Sequence, residues 1–75
     1  MVLYLAMRDW KTIFGKNVRR VRLQRKLSQE KLAFEAKIDL TYVGRIERGK
    51  QNPSLLVMAR IADALSVSLP KLLND

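Results

Sequence analysis

The sequence predicts an all-α fold, a compact array of five short helices without strands. Three observations predict it. Apolar residues recur at helical spacing, as Phe14, Val18 and Val21 do. Residues that favour helix N-caps stand before these runs, most of them preceded by an apolar residue that can pack on the first turn. Turn-forming residues such as Gly49 and Pro53 separate the runs.

The first helix is expected from Asp9 or Thr12 to about Arg25. Lysine and arginine crowd its outer positions, which makes it a basic amphipathic helix. A membrane-surface helix has a similar pattern, but this one is followed at once by capped helices that need a cover, so a core helix is favoured. The exposed arginines at 19, 20 and 25 are expected to form a solvated face.

The second helix is expected to start at Gln29, after Ser28 at the N-cap position. Leu27 and Leu32 have the spacing of a hydrophobic staple across that cap. Asp39 then caps a third helix from Leu40 to about Arg48, which ends at Gly49, a natural residue after a helix C-terminus. Two helices this close, separated by a short turn, have the layout of a helix-turn-helix DNA reader.

The third helix has two distinct faces. Val43 and Ile46 lie on one face and are expected to point into the core. The opposite face has short side chains at its N-terminal end and cationic side chains toward its C-terminal end, as suits a helix that enters a major groove. That face contains Leu40, Thr41, Gly44, Arg45 and Arg48.

Ser54 caps a fourth helix, and a fifth begins near Ser68 with Pro70 tolerated in its first turn. The fourth helix is expected to turn Leu55, Met58, Ile61, Ala62 and Leu65 toward the core. The C-terminal segment carries more large apolar residues than the end of so small a domain needs, which predicts a dimer contact. The predicted interface comprises Val67, Leu69, Leu72 and Leu73.

Composition narrows the function. The 75 residues include 15 Lys and Arg against 7 acids, a net charge of +8, with no Cys and no His. A polyanionic partner is therefore expected, nucleic acid before anionic membrane. Zinc fingers, thiol catalysis and imidazole chemistry are excluded, and no catalytic site, metal site or cofactor site is expected.

The first residues, MVLYLAM, fit neither a signal peptide nor a membrane span, so a cytoplasmic protein is expected. Residues 1–10 are interpreted as an N-terminal extension, and residues 11–75 as one DNA-binding and dimerisation domain.

Three stretches together resemble the lambda-repressor-like, or Xre-type, helix-turn-helix regulators: VRRVRLQRKLSQEKLA, IERGKQNPSL and IADALSVSLPKLL. The resemblance covers about Phe14 to Leu73. Within that family the chain looks most like the controller proteins of restriction-modification systems. Phage and plasmid repressors and antitoxin-like protein-interaction modules share much of the pattern and remain alternatives.

The resemblance implies a homodimer that binds a pseudo-palindromic operator on double-stranded DNA and regulates transcription, with RNA polymerase as a further candidate partner. By position it implies base contacts from Leu40, Thr41, Gly44 and Arg45. It implies DNA-backbone contacts from Gln29, Tyr42, Arg48, Lys50, Gln51 and Asn52. It also implies a structural ion pair between Arg22 and Glu47.

The chain departs from the family pattern at three positions. Lys37 stands where the turn usually has Gly, so it must adopt a left-handed or nearby conformation. Leu40 replaces an arginine common in controller proteins. Gly44 replaces a small polar residue, and it is interpreted either as allowing close approach of the helix backbone to DNA or as tolerated at an exposed site.

Overall fold

The computed structural model describes residues 8–74, which form five α-helices and no strands. They are α1 (Trp10–Gln24), α2 (Gln29–Ala36), α3 (Leu40–Glu47), α4 (Leu55–Ala64) and α5 (Leu69–Leu72). The predicted fold class is therefore confirmed. Asp9 and Trp10, expected in the extension, form the cap and first residue of α1. The apolar residues before Arg8 lie outside the described residues.

Side-chain caps start four of the helices, and three of these caps, Ser28, Asp39 and Ser54, are the predicted ones. Asp9 accepts a hydrogen bond from the backbone N–H of Thr12, and Ser28 accepts one from Lys31. Asp39 and Ser54 cap α3 and α4 in the same way. Ser68 occupies the N-cap position of α5 without a side-chain cap hydrogen bond. Each cap satisfies an amide that has no partner within its own helix.

The first four helices end in one shared backbone pattern. After α2, the N–H of Ile38 donates to Ala33 O at 3.0 Å while Lys37 takes the left-handed conformation, φ 59°. This is the Schellman arrangement, and it satisfies carbonyls at the helix end. Gly49 plays the same part after α3, with φ 71°. The predicted left-handed Lys37 and helix-ending Gly49 are both confirmed.

The core lies between the helices, with α1 packed on α3 and α5, and α2 on α3 and α4. Its buried apolar side chains are Phe14, Val18, Val21, Leu32, Val43, Ile46, Ile61, Leu65 and Leu72, with Ala33, Ala36 and Ala62. Leu55 was expected among them, but it is 68% exposed, as its neighbour Leu56 is at 60%. The first turn of α4 therefore projects past the core.

Two residues of α1, Gly15 and Asn17, hold its packing partners, α3 and the C-terminal segment, in place. A Cβ at Gly15 would overlap the carbonyl oxygen of Ile46, so α1 and α3 meet backbone to backbone. The buried amide of Asn17 donates to Leu72 O at 2.8 Å and to Asn74 O at 2.7 Å. Together these contacts hold α3 and the C-terminal segment against the same helix.

The fold also corrects one residue of the predicted dimer interface. Leu72 is 0% exposed and belongs to the core, so it is not available to a partner. Val67, Leu69 and Leu73 are half-buried and pack against the edge of the core. The reason is the attachment of α5 to α1 through Asn17, which turns Leu72 inward.

Candidate nucleic-acid interface

The inner side of α3 packs in the core, and its opposite face is exposed. Val43 and Ile46 are each 1% exposed and anchor its inner side in the core. Leu40, Thr41 and Arg45 are exposed on the opposite side. The amphipathic pattern of eight residues thus becomes a groove-sized helix with one free face.

A buried ion pair ties α1 to the end of α3. The Nε of Arg22 donates to Glu47 Oε2 at 2.7 Å, and its Nη2 donates to Glu47 Oε1 at 3.0 Å. The Nη1 of Arg22 also donates to the carbonyl oxygen of Leu27, just before α2, at 2.9 Å. One guanidinium therefore links α1, the start of α2 and the end of α3, and the fork geometry suits Arg but not Lys.

Gln29, the first residue of α2, joins this network. Its Nε2 donates to Glu47 Oε1 at 3.0 Å, and the side chain is half-buried. The carboxylate of Glu47 thus accepts from both Arg22 and Gln29. The contact fixes the orientation of the Gln29 amide, with its nitrogen toward Glu47, and leaves one amide N–H unused. Sequence reasoning identified the position of Gln29 but not this contact.

Gly44 is buried, although it lies on the face of α3 that was expected to be open. The side chain of Arg48 folds back along the helix and brings its Nη1 to 3.2 Å from where a Cβ of Gly44 would lie. The Oε1 of Gln29 is 4.0 Å from the same point. The interpretation of Gly44 as tolerated at an exposed site is therefore wrong, because two polar side chains of the predicted interface cover it.

The loop after α3 contacts the recognition face. Gln51 is half-buried, and its Oε1 accepts a hydrogen bond from Arg45 Nε at 3.2 Å. Lys50 and Asn52 are exposed beside it, and Tyr42 is half-buried on α3. All ten residues expected to touch DNA thus come from α3, the loop after it and the start of α2.

Two exposed apolar features escaped sequence reasoning. Phe34 on α2 is 77% exposed, with Lys31 Nζ 5.9 Å from its ring centroid. Leu55 and Leu56 open α4, near the hollow that Pro53, Met58 and Leu73 line with Trp10. Helical spacing signals which residues share a face, but not which of several apolar faces the core leaves uncovered.

Other kinds of site find little support in residues 8–74. No group of three acidic, His or Cys side chains in that range could hold a metal ion. No helix within it is long and apolar enough to cross a bilayer.

Comparison with known proteins places the chain in a family. The Helix-turn-helix family model matches residues 18–72. The control protein C.BamHI of Bacillus amyloliquefaciens is 48% identical over 64 residues, covering 84% of this chain and 78% of the relative. The control protein C.SmaI of Serratia marcescens is 41% identical over 70 residues, covering 93% and 83%.

A solved structure agrees with the sequence relatives. The restriction-modification controller protein C.AhdI from Aeromonas hydrophila superposes with a TM-score of 0.81 at 40% identity, covering 83% of this chain and 94% of that one. The chain belongs to the Xre-type helix-turn-helix family, beside the control proteins of restriction-modification systems.

Proposed function

We propose that this chain is a transcription regulator that binds a pseudo-palindromic operator as a homodimer and controls restriction-modification genes. Each subunit would place α3 in one of two successive major grooves. The observation that carries the proposal is the exposed, cationic face of α3, held rigidly by the core and by the Arg22–Glu47 pair. A chain with a net charge of +8 would add long-range attraction to the phosphates.

Base reading is assigned to the free face of α3. Because Gln51 accepts the Nε–H of Arg45, the two Nη groups of Arg45 stay available for guanine O6 and N7. Thr41 at the start of the helix offers a hydroxyl to a base edge, and Leu40 an apolar contact to a thymine methyl. Gln51 would then assist a base contact as well as approach the DNA backbone.

Backbone contacts are assigned to the rim of this face. Gln29 would donate its second amide N–H to a phosphate, because Glu47 accepts the first. Tyr42, Arg48, Lys50 and Asn52 would contact further phosphates. Such contacts fix the register of the protein on DNA, while the base contacts select the sequence.

The dimer interface is proposed on the surface shared by α4 and α5. Leu69, Leu73 and Val67 stay partly open there, whereas Leu72 does not. Leu55 and Leu56, which are exposed at the start of α4, would extend this interface. Pairing of two copies through it would cover these side chains and must set the α3 helices about 34–36 Å apart, one turn of DNA.

The regulator would act in the cytoplasm on promoters near its own gene. If it acts as an activator, contact with RNA polymerase would recruit the polymerase to the promoter.

DNA binding is testable by fluorescence anisotropy on DNA from that promoter region and on random DNA of equal length. If the dimer contacts about 6–10 phosphates, affinity should fall about 10³–10⁵-fold between 50 and 200 mM salt. Equal affinity for both DNAs, or no salt dependence, would contradict the proposal.

A further inference from the structure

Gln51 lies in the loop between α3 and α4, and its side chain contacts the arginine to which base reading is assigned. Its Oε1 accepts a hydrogen bond from Arg45 Nε at 3.2 Å. Gln51 is half-buried, whereas Arg45 is exposed on the free face of α3. The resemblance implies a DNA-backbone contact for Gln51, but the structure directs its amide oxygen to a neighbouring side chain of the same chain.

The backbone of the loop holds Gln51 beside Arg45. The N–H of Lys50 donates to the carbonyl oxygen of Arg45 itself at 2.9 Å. Gly49 takes a φ of 71°, and a Cβ there would lie 2.9 Å from Thr12 Oγ1, so the start of α1 packs against this turn. Gln51 therefore follows a turn whose backbone is bonded to the same residue that its side chain contacts.

The hydrogen bond at Nε decides which groups Arg45 can offer to DNA. With Nε occupied, its two Nη groups remain, and both can only donate. Guanine is the base whose major-groove edge presents two acceptors, O6 and N7, whereas adenine presents an acceptor with a donor, and thymine an acceptor with a methyl group. An arginine restricted to its Nη groups therefore favours guanine, and it has less side-chain freedom to lose on binding than an unrestrained arginine.

The acceptor that holds Arg45 is a neutral amide. Within residues 8–74 the ion pairs join other residues, so the charge of Arg45 is not cancelled by a carboxylate. A carboxylate at position 51 would accept the same Nε–H, but its negative charge would oppose the attraction to phosphates. Glutamine thus orients the guanidinium and leaves its positive charge available to DNA.

We propose that Gln51 is a positioning residue that sets base specificity: it holds Arg45 for guanine, and its contribution to DNA binding passes through Arg45 rather than through a phosphate. The inference rests on the proposed DNA-binding function and deepens it. It predicts a G·C pair at one symmetric position in each half-site of the operator, the position that Arg45 contacts.

The test starts from an operator that the intact chain selects from a library of random duplexes. Anisotropy then measures affinity for this duplex, for versions with each base pair replaced, and for random DNA. The variants are Gln51→Ala, Gln51→Glu, Arg45→Ala, and Arg45→Ala combined with Gln51→Ala. Asn52→Ala is the matched control, because Asn52 is the exposed next residue and is assigned a backbone contact. Circular dichroism checks that each variant is folded.

Gln51→Ala should lose about two- to tenfold in affinity for the selected operator and little for random DNA, with weaker discrimination at the G·C pair. Gln51→Glu should keep that discrimination, because it still accepts from Arg45, while its affinity falls on both DNAs. Asn52→Ala should lower both affinities by the same factor and leave the base preference unchanged.

The double variant tests whether Gln51 acts through Arg45. Arg45→Ala alone should cost about 5–150-fold on the selected operator, and adding Gln51→Ala should cost nothing further. Equal losses on both DNAs for Gln51→Ala, or a full additional loss in the double variant, would overturn the positioning role. A selected operator whose G·C pairs are all read normally by Arg45→Ala would also overturn it, while the proposed function would stand. Selection of no sequence by the intact chain would refute both.

Discussion

Replacement of Glu47 by alanine should destabilise this domain more than an ordinary surface substitution on α3. The side chains of Arg22 and Glu47 are only 9% and 2% exposed, and their two hydrogen bonds measure 2.7 and 3.0 Å. Glu47→Ala would leave the guanidinium buried with one protein acceptor, Leu27 O. Removal of one partner from a buried pair costs about 3–5 kcal/mol, since the remaining charge is no longer compensated.

That cost is large for a chain of this length. At roughly 0.05–0.15 kcal/mol per residue, 75 residues give a free energy of unfolding of about 4–11 kcal/mol. A cost of about 3–5 kcal/mol for Glu47→Ala would therefore remove from about a quarter of the stability to all of it. The paired replacement Arg22→Met with Glu47→Met removes both charges and fills a similar volume, so it should cost much less than Glu47→Ala alone.

Urea unfolding followed by circular dichroism at 222 nm measures both effects. An exposed acid offers a matched control: Glu35→Ala on α2 should change the free energy of unfolding by less than about 0.5 kcal/mol. A cost below about 1 kcal/mol for Glu47→Ala would refute the buried pair in solution. A double replacement as destabilised as the sum of its two single replacements would refute the coupling between Arg22 and Glu47.

Three further predictions concern single side chains. Arg45→Ala should cost about 1–3 kcal/mol of binding on the operator and little on random DNA, as anisotropy can measure; equal losses would contradict base reading. Leu69→Ala should keep its helicity but sediment as a monomer in analytical ultracentrifugation, and a retained dimer would place the interface elsewhere. The hydroxyl and backbone N–H of Thr12 donate to Asp9 and lower the pKa of that carboxyl. Because the folded pKa is depressed, the stability from this cap is present above the ordinary pKa of about 3.9 and lost as the pH falls through the folded value. Thermal melts should therefore separate Asp9→Ala from the wild type at neutral pH and converge in strong acid.

Helix starts could be predicted from the sequence because their determinants are local. Ser28, Asp39 and Ser54 each accept a hydrogen bond from an amide two or three residues away, so the cap and its donor are visible in one short stretch. The C-terminal ends of the helices are harder to predict from the sequence. Lys26 and Ser66 take left-handed conformations, with φ 58° each, at positions where a sequence pattern favours glycine. Tertiary packing of the following residue stabilises those turns, and packing is not visible in residue type.

The parts of the candidate site that escaped prediction depend on contacts between distant segments. Gly15 looks like a weak point in a helix, yet it permits the backbone contact with Ile46 that positions α3. Gly44 looks exposed on a helical wheel, yet side chains from its own helix and from α2 cover it. In both cases the structural role of the glycine depends on the atoms that pack against it. Those neighbours are known only once the helices are assembled.

The C-terminal leucines also depend on contacts between distant segments. The sequence could not tell which of them are available for a dimer contact, whereas the structure does. A four-residue helix has too few positions for a period to separate an inner from an outer face, so Leu69, Leu72 and Leu73 were equivalent in the sequence. The buried amide of Asn17 breaks that equivalence, because its bonds to Leu72 O and Asn74 O fix the rotation of α5 on α1. Truncation of Leu72 should consequently unfold the monomer, whereas truncation of Leu69 tests the dimer. The variant that separates folding from pairing is therefore Leu69→Ala, and a monomer produced by Leu72→Ala carries no information about the interface.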